Sequence, residues 1–332
     1  MSIMNGCDAV MRAVRVVELD GPGSVRLDEI PEPEPNGVVI EVYAAGVAFP
    51  DVLLTRGLYQ MKPDPPFVLG AELAGVVRSA PADSGFAKGD RVTGLSMLGN
   101  AMAEVAVLPP QTVFRLPDNV SLRAAAGLPF NDLTVHFALR ERGRITEGET
   151  VLVHGAAGGI GTSTLRLAGA LGAGRTIAVV STEEKAAVAR AAGATDTVLT
   201  EGWLDQVKEL TGGRGVDIVV DPVGGDRFTD SVRSLSRAGR VLVLGFTGGE
   251  IPTVKVNRLL LKNAAVIGVG WGEWVLGNPG YLAEQWAELE PLLASGALSA
   301  PEPVCLPLEH AAEALAALEN RTATGKLVLT VR

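Results

Sequence analysis

The chain is poor in the residues that build metal and disulfide sites. It has two cysteines, Cys7 and Cys305, and three histidines, His136, His154 and His310, among 332 residues. Two cysteines cannot form a disulfide framework or a cysteine-based zinc site, and no two histidines fall at helical ligand spacing. Basic residues are in deficit: 29 Lys and Arg face 38 Asp and Glu, a formal charge of −9. Such a balance argues against general binding to nucleic acid or an anionic membrane surface. Apolar runs never approach the ~20 residues that a membrane helix needs. Residues 1–10 lack the basic and apolar regions of a secretion signal and read as an extension, and the expected compartment is the cytoplasm. Aromatic residues are scarce (8 Phe, 4 Trp, 3 Tyr), whereas glycine is abundant at 40. With 47% hydrophobic and 20% charged residues, the chain can bury sizeable cores and is not a disordered tail. Its length predicts two domains.

From Met11 to about Leu128 the sequence runs in short apolar stretches cut by Gly and Pro, such as "FVLGAELAGVVRSA", "KGDRVTGL" and "AEVAVLPPQTVFRLPD". That spacing predicts a compact, β-rich domain. The texture changes after Pro129. "TVLVHGAAGGIGTSTLRLAGALG" reads strand, glycine turn, helix, and "RTIAVVS" with "TEEKAAVARAAG" repeats the unit. "DTVLT", "GVDIVVDPVGG", "GRVLVLGF" and "AAVIGVGW" complete six nearly all-apolar strands, with "DRFTDSVRSLSRAG" among the intervening helices. Strands apolar on both faces, alternating with helices, predict a doubly wound parallel sheet covered on both sides. After Trp271 we expect helices over about Tyr281–Ser295 and Leu308–Asn320 and a terminal strand in "GKLVLTVR". That tail is too short to fold alone. The expected organisation is therefore an α/β domain over 129–272 inserted into a β-rich domain made of 11–128 and 273–332.

"VLVHGAAGGIG" carries the most chemistry. Ala156, Gly158 and Gly161 follow a strand at A-x-G-x-x-G spacing and open a long helix, the context that a dinucleotide fingerprint requires. Gly158 lets the backbone approach a pyrophosphate, Gly161 lets helix and strand pack closely, and the helix N-terminus offers free N–H groups to phosphate. NAD-dependent proteins usually carry an acidic residue ~20 positions on, for the ribose 2′-hydroxyl. Here that position is Ser181, with Lys185 four residues further at the start of the next helix. A hydroxyl and an ammonium suit a 2′-phosphate, so the expected cofactor is NADPH. Glu183 and Glu184 are read as favouring the helix N-terminus.

Taken in order, "AAGVAFPDVLLTRGLY", "LGAELAGVV", "GDRV", "AEVAV", "LTVHFAL", "VHGAAGGIG", "STEEK", "DPVGG" and "TGKLVL" resemble the zinc-independent NADPH:quinone oxidoreductases, the zeta-crystallin-like branch of the medium-chain dehydrogenase/reductase superfamily. The resemblance covers about Met11 to Arg332. It implies a six-stranded Rossmann domain inserted into a GroES-like β-rich domain. Zinc-bearing relatives place Cys and His where this chain has Ala48 and Ala71, so no metal is expected. Carried over residue by residue, the resemblance implies that Phe49 touches the cofactor and that Thr134 lies near the nicotinamide end. Ala157, Gly158, Gly159 and Ile160 would line the pyrophosphate, and Ser181 and Lys185 would hold the 2′-phosphate. Val223, Gly245 and Phe246 would border the riboses, and Val269 and Gly270 the nicotinamide. Thr200 stands where some relatives have a phosphate-binding Tyr. Ala48 and Leu53 replace an Asn and a Tyr of quinone reductases, while Tyr59 is retained.

The implied reaction is hydride transfer from NADPH to a quinone or an α,β-unsaturated carbonyl, a small-molecule substrate, with Tyr59 as candidate proton donor. An enoyl-thioester reductase and a non-catalytic NADPH-binding protein are the alternatives. Asp51 and Arg56 are read as a loop-ordering pair, and His136 and His154 as packed core residues. The apolar last strand, "AAVIGVGW", at a sheet edge predicts a homodimer joined through it.

Overall fold

The computed structural model describes residues 9–97, 99–278 and 280–332. Most of the expected N-terminal extension, residues 1–8 with Cys7, lies outside the described residues. The described residues divide into two compact units, one made of those up to Phe130 together with those from Ala300 to Arg332, the other of those between Asn131 and Ser299.

In the first unit the elements are β1 (Val10–Val16), β2 (Val25–Pro31), β3 (Val38–Val47), α1 (Phe49–Thr55), β4 (Phe67–Val68), β5 (Glu72–Ser79), β6 (Arg91–Leu95), β7 (Val105–Leu108), β8 (Val113–Arg115) and α2 (Leu122–Ala125). Strand β3 is the hub. It pairs antiparallel with both β5 and β7, and its apolar residues Ile40, Val42, Ala45 and Val47 are buried. Ala48 is the N-cap of α1, and its N–H donates to the Asp51 carboxylate at 2.8 Å. This acidic residue in the first turn fixes one of the helix's orphan donors.

The second unit begins in α3 (Pro129–Phe137) and continues with β9 (Thr150–His154), α4 (Gly159–Ala170), β10 (Arg175–Val180), α5 (Glu183–Ala191), β11 (Asp196–Leu199), α6 (Trp203–Leu210), β12 (Val216–Asp221), α7 (Phe228–Ser234), β13 (Leu235–Val243), α8 (Asn257–Lys262), β14 (Ala265–Gly268), α9 (Trp271–Gly277) and α10 (Tyr281–Ser295). The six strands are parallel, in the order β11-β10-β9-β12-β13-β14. This is the doubly wound order 3-2-1-4-5-6, in which the strand order reverses between β9 and β12. Central β12 is buried at every residue, as a strand covered on both faces must be. Leu152, Val179 and Val219 of the sheet pack with Trp203, Val207, Phe228 and Val232 of α6 and α7. The stretch Leu235–Ala238, expected to be helical, belongs instead to β13. Leu235 pairs with Val216, a bulge separates it from the Ile218–Arg240 pairing, and Ala238 takes φ 62°.

The tail adds β15 (Val304–Pro307), α11 (Ala311–Glu319) and β16 (Leu327–Thr330) to the first unit. Strand β16 pairs antiparallel with β3 along Val47–Ala44 and parallel with β15. The return point differs from the expected one. Residues 273–299, expected with the β-rich domain, pack with the parallel-sheet unit. A buried polar network explains this. Gln285 of α10 is 1% exposed; its Nε2 donates to the Leu133 carbonyl (2.8 Å) and to His136 Nδ1 (3.1 Å), and its Oε1 accepts from Trp271 Nε1 (3.0 Å). One amide thus ties α10 to α3 and α9, a link that amphipathic spacing does not show.

Gln285→Leu keeps the volume but leaves the indole N–H, the Leu133 carbonyl and His136 Nδ1 without that partner. Urea unfolding is expected to show a loss of about 1–3 kcal/mol, the usual cost of stranding a buried polar group.

Candidate functional site

In the parallel-sheet unit the expected cofactor residues, apart from Thr134 on α3, follow the C-terminal ends of the strands. The turn after β9 begins at Gly155 (φ 60°), and Gly158 precedes the first residue of α4 in extended conformation (ψ −179°). A Cβ at Gly161 would lie 2.5 Å from Ala156 Cα and overlap the Gly155 carbonyl, so only glycine lets α4 start this close to the strand. A Cβ at Gly159 would meet the Asn131 side chain at 2.6 Å. Asn131, which sequence reasoning missed, therefore lies against the first residue of α4. The opening N–H groups of this twelve-residue helix have no intrahelical acceptor. With Ala157, Gly158, Gly159 and Ile160 they make a small-residue cradle of donors that fits a pyrophosphate.

Across the switch point, Val223 Cγ2 comes within 3.3 Å of where a Gly155 Cβ would be. Asp221 ends β12 and its Oδ1 accepts from the N–H groups of both Val223 and Gly224 at 2.9 Å. Burial raises the Asp221 pKa, and those two N–H groups and the Arg227 charge oppose the rise. The loop after β13 is laced to the same turn: Thr247 N–H donates to the Pro222 carbonyl (3.1 Å) and Gly248 N–H to the Val223 carbonyl (2.8 Å). Phe246 on this loop reaches within 3.0 Å of where a Gly224 Cβ would be, and Gly245 sits over the Pro222 carbonyl. Val269 follows β14 and donates to the Val243 carbonyl (3.0 Å), with Gly270 next before α9.

Ser181 is exposed just beyond β10, and Thr182 caps α5 by accepting from the Lys185 N–H at 3.3 Å. Lys185 is half-buried in the first turn. The Glu184 carboxylate accepts from its own backbone N–H and from the Thr182 hydroxyl, which lowers its pKa and keeps it occupied at the cap. Thr134 lies on α3, which is tied to α4 by a buried pair: Arg166 Nη2 meets Asp132 Oδ1 at 2.5 Å, the two side chains being 5% and 1% exposed. Ser163 also donates to Asp132 at 2.6 Å, and Arg166 to the Ser299 carbonyl at 2.7 Å.

The two core histidines are buried. His136 lies against Glu288 at 3.1 Å and its pKa is lowered, chiefly by burial. His154 Nε2 pairs with Ser231 Oγ at 2.9 Å, and burial pushes its pKa down to about 3, so it stays neutral.

In the β-rich unit, Phe49 and Tyr59 are half-buried on and just after α1. The expected Asp51–Arg56 pair does not form. Arg56 turns outward to Glu319 of α11, with Nε–Oε1 at 2.5 Å, whereas Asp51 points inward and is fully buried. Asp51 lies in the first turn of α1 and Arg56 is its C-cap, five residues on, so the two point in different directions. Asp51 joins a cluster that sequence reasoning did not assemble. Lys326 Nζ contacts Glu72 Oε1 at 2.5 Å and donates to the Val47 carbonyl at 3.0 Å, while Glu72 Oε2 accepts from the Phe130 N–H at 2.9 Å. Burial drives the Asp51 pKa up to about 7; the Glu72 charge adds to this, while the Ala48 N–H and Lys326 oppose it. Tyr59 is also raised, by burial first and then by Asp51, so its phenol is protonated at neutral pH. Ala48 and Ala71 flank this cluster and supply no metal ligands. Among the described residues, no three His, Cys, Asp or Glu side chains gather as a metal-holding group.

Comparison with known proteins bears on both units. Residues 34–118 match the family described as alcohol dehydrogenase GroES-like domain, and residues 159–295 the family described as zinc-binding dehydrogenase. The chain is 38% identical over 325 residues to the rat quinone oxidoreductase-like protein 2, covering 97% of this chain and 92% of that protein. It is 42% identical to a solved probable oxidoreductase from Mycobacterium abscessus, with a TM-score of 0.88, covering 98% of this chain and 100% of the other. An Escherichia coli quinone oxidoreductase solved in complex with NADPH is 30% identical, with a TM-score of 0.86 and coverage of 96% and 100%.

The Asp51 cluster sets a pH dependence. Its folded pKa of about 7 lies above the unfolded value, so between pH ~4 and 7 the native state holds the extra proton. Stability from this group is present at low pH and is lost as pH rises through 7, each tenfold difference in proton affinity being worth roughly 1.4 kcal/mol. Asp51→Asn removes the titration. Denaturation at pH 5 and pH 8 is expected to show the variant gaining on the wild type at the higher pH.

Proposed function

The chain belongs to the zinc-independent, quinone-oxidoreductase-like branch of the medium-chain dehydrogenase/reductase superfamily, as an NADPH-dependent oxidoreductase, and we propose that its acceptor is a quinone or an α,β-unsaturated carbonyl. The turn between β9 and α4 carries this reading, because its close-packed glycines and open N–H groups sit at the switch point of the sheet. NADPH, when bound, supplies a hydride. The rest of the work belongs to the chain. Gly158, Gly159 and Ile160 hold the pyrophosphate, Ser181 and Lys185 hold the 2′-phosphate, and Val223, Phe246, Val269 and Gly270 border the riboses and nicotinamide. Positioning is the main contribution, since the reacting atoms must be held at ~3–3.5 Å with aligned orbitals. In the β-rich unit, Tyr59 is the proton donor to an oxygen that gains charge as an activated alkene is reduced. Its raised pKa keeps that proton available.

We further assign a homodimer, joined edge to edge through β14. This strand ends the sheet, and Leu260 and Leu261 of neighbouring α8 are 77% and 81% exposed. An exposed apolar edge invites pairing, and a two-fold axis would extend the sheet across both copies.

An acceptor panel of quinones, enones and enoyl-CoA esters, run with NADPH in the presence of a chelator, tests the reading. Turnover of quinones or enones is expected, and activity confined to enoyl-CoA esters would contradict it. Tyr59→Phe is expected to slow enone reduction about 10²–10³-fold, the usual cost of losing an oxyanion donor. Quinone reduction should keep most of its rate, because a hydroquinone anion takes its proton from water.

Light scattering at micromolar concentration is expected to give twice the chain mass. A monomer would exclude the edge-to-edge dimer.

A further inference from the structure

A groove of about 690 Å³ lies between α6 and α7. One rim begins at Thr200, whose N–H and hydroxyl both donate to the Val180 carbonyl, at 2.8 and 3.0 Å. Val180 immediately precedes Ser181, so this rim adjoins the position assigned to the 2′-phosphate. The other rim is formed by Arg227, in the turn that leaves Val223 and Gly224. The groove therefore spans the strand ends that bracket the adenosine half of the cofactor.

Three cations line it, and two are already matched. Lys208 pairs with Asp205 at 2.8 Å and Arg233 with Asp230 at 3.1 Å. Arg227 is half-buried, and its guanidinium makes no hydrogen bond or ion pair among the described residues. The neighbouring Asp226 is exposed. The Arg227 charge reaches inward, opposing the rise in the Asp221 pKa and helping to lower that of His154. A guanidinium that has given up part of its hydration without gaining a hydrogen-bonded partner is suited to an anion that arrives with the ligand.

We propose that Arg227 is a specificity-determining residue for the cofactor, its guanidinium taking the 2′-phosphate of NADPH as a second cation alongside Lys185. The inference rests on NADPH binding at the β9–α4 turn. It explains how the site fixes a phosphate although Thr200 stands where a phosphate-binding phenol would be. It also assigns a role to a guanidinium that makes no hydrogen bond or ion pair among the described residues.

The test titrates NADPH and NADH into full-length wild type, Arg227→Ala, Arg227→Lys and Lys185→Ala, with a thermal melt of each. Arg227→Ala is expected to lose NADPH affinity about ten- to a hundred-fold, the value of a charge-assisted bond. NADH affinity and melting temperature should stay near those of the wild type, and Arg227→Lys should recover part of the loss. Equal losses for NADPH and NADH would place the side chain on the adenine or in the fold, and unchanged NADPH affinity would leave it in solvent; either result overturns the proposal. A wild type that does not favour NADPH would instead overturn the cofactor reading beneath it, which separates the two failures.

Discussion

The close approach of α4 to the turn after β9 is the constraint on which the rest of the cofactor unit depends. Gly161 packs its bare Cα against the Ala156 backbone, and Gly155 adopts a positive φ that directs the chain into that contact. A side chain at Gly161 would push the helix away and carry its N-terminal donors out of line with the strand ends. The helix dipole and its unsatisfied N–H groups act within the first turn, so displacement there costs both charge attraction and hydrogen bonds to phosphate.

Such a turn needs a rigid setting, and two polar devices provide it. The Asp132–Arg166 pair, with Ser163 and the Ser299 carbonyl, fixes α4 to α3. Removing one partner of a pair this buried strands the other charge, which typically costs about 3–5 kcal/mol. Gln285 then ties α10 to α3 and α9, next to Val269 and Gly270. In the β-rich unit the corresponding device is the enclosure of Asp51 and Glu72 with one ammonium, Lys326. Burial is the first cause of the raised Asp51 pKa and the Glu72 charge adds to it, so the proton stays on Asp51 up to about pH 7. Tyr59 feels that group, which links the state of the cluster to the proposed donor.

Much of this is legible in the sequence because it is local. The glycine turn, the apolar strands and the Thr182–Lys185 helix start are set by spacing over a few residues, and the structure places them in the expected order. What sequence reading misses is long-range and polar. Nothing in the neighbourhood of Asn131 signals that it meets Gly159, and nothing near Gln285 signals that it reaches Leu133. Residues 273–299 read as part of the β-rich domain for that reason. Asp51 and Arg56 look like a local pair, yet burial of one and the reach of the other to Glu319 separate them. Leu235–Ala238 reads as helix because its polar spacing suits one, but strand pairing with Val216 overrides propensity.

The turn after β9 and the end of β10 together are proposed to hold NADPH. Hydrogen–deuterium exchange of the full-length protein with and without NADPH tests it most directly, because it reads backbone N–H groups one segment at a time. Slowed exchange is expected over residues 155–162 and 181–186 when NADPH is bound. Saturation with NADPH that leaves both segments unprotected would contradict it.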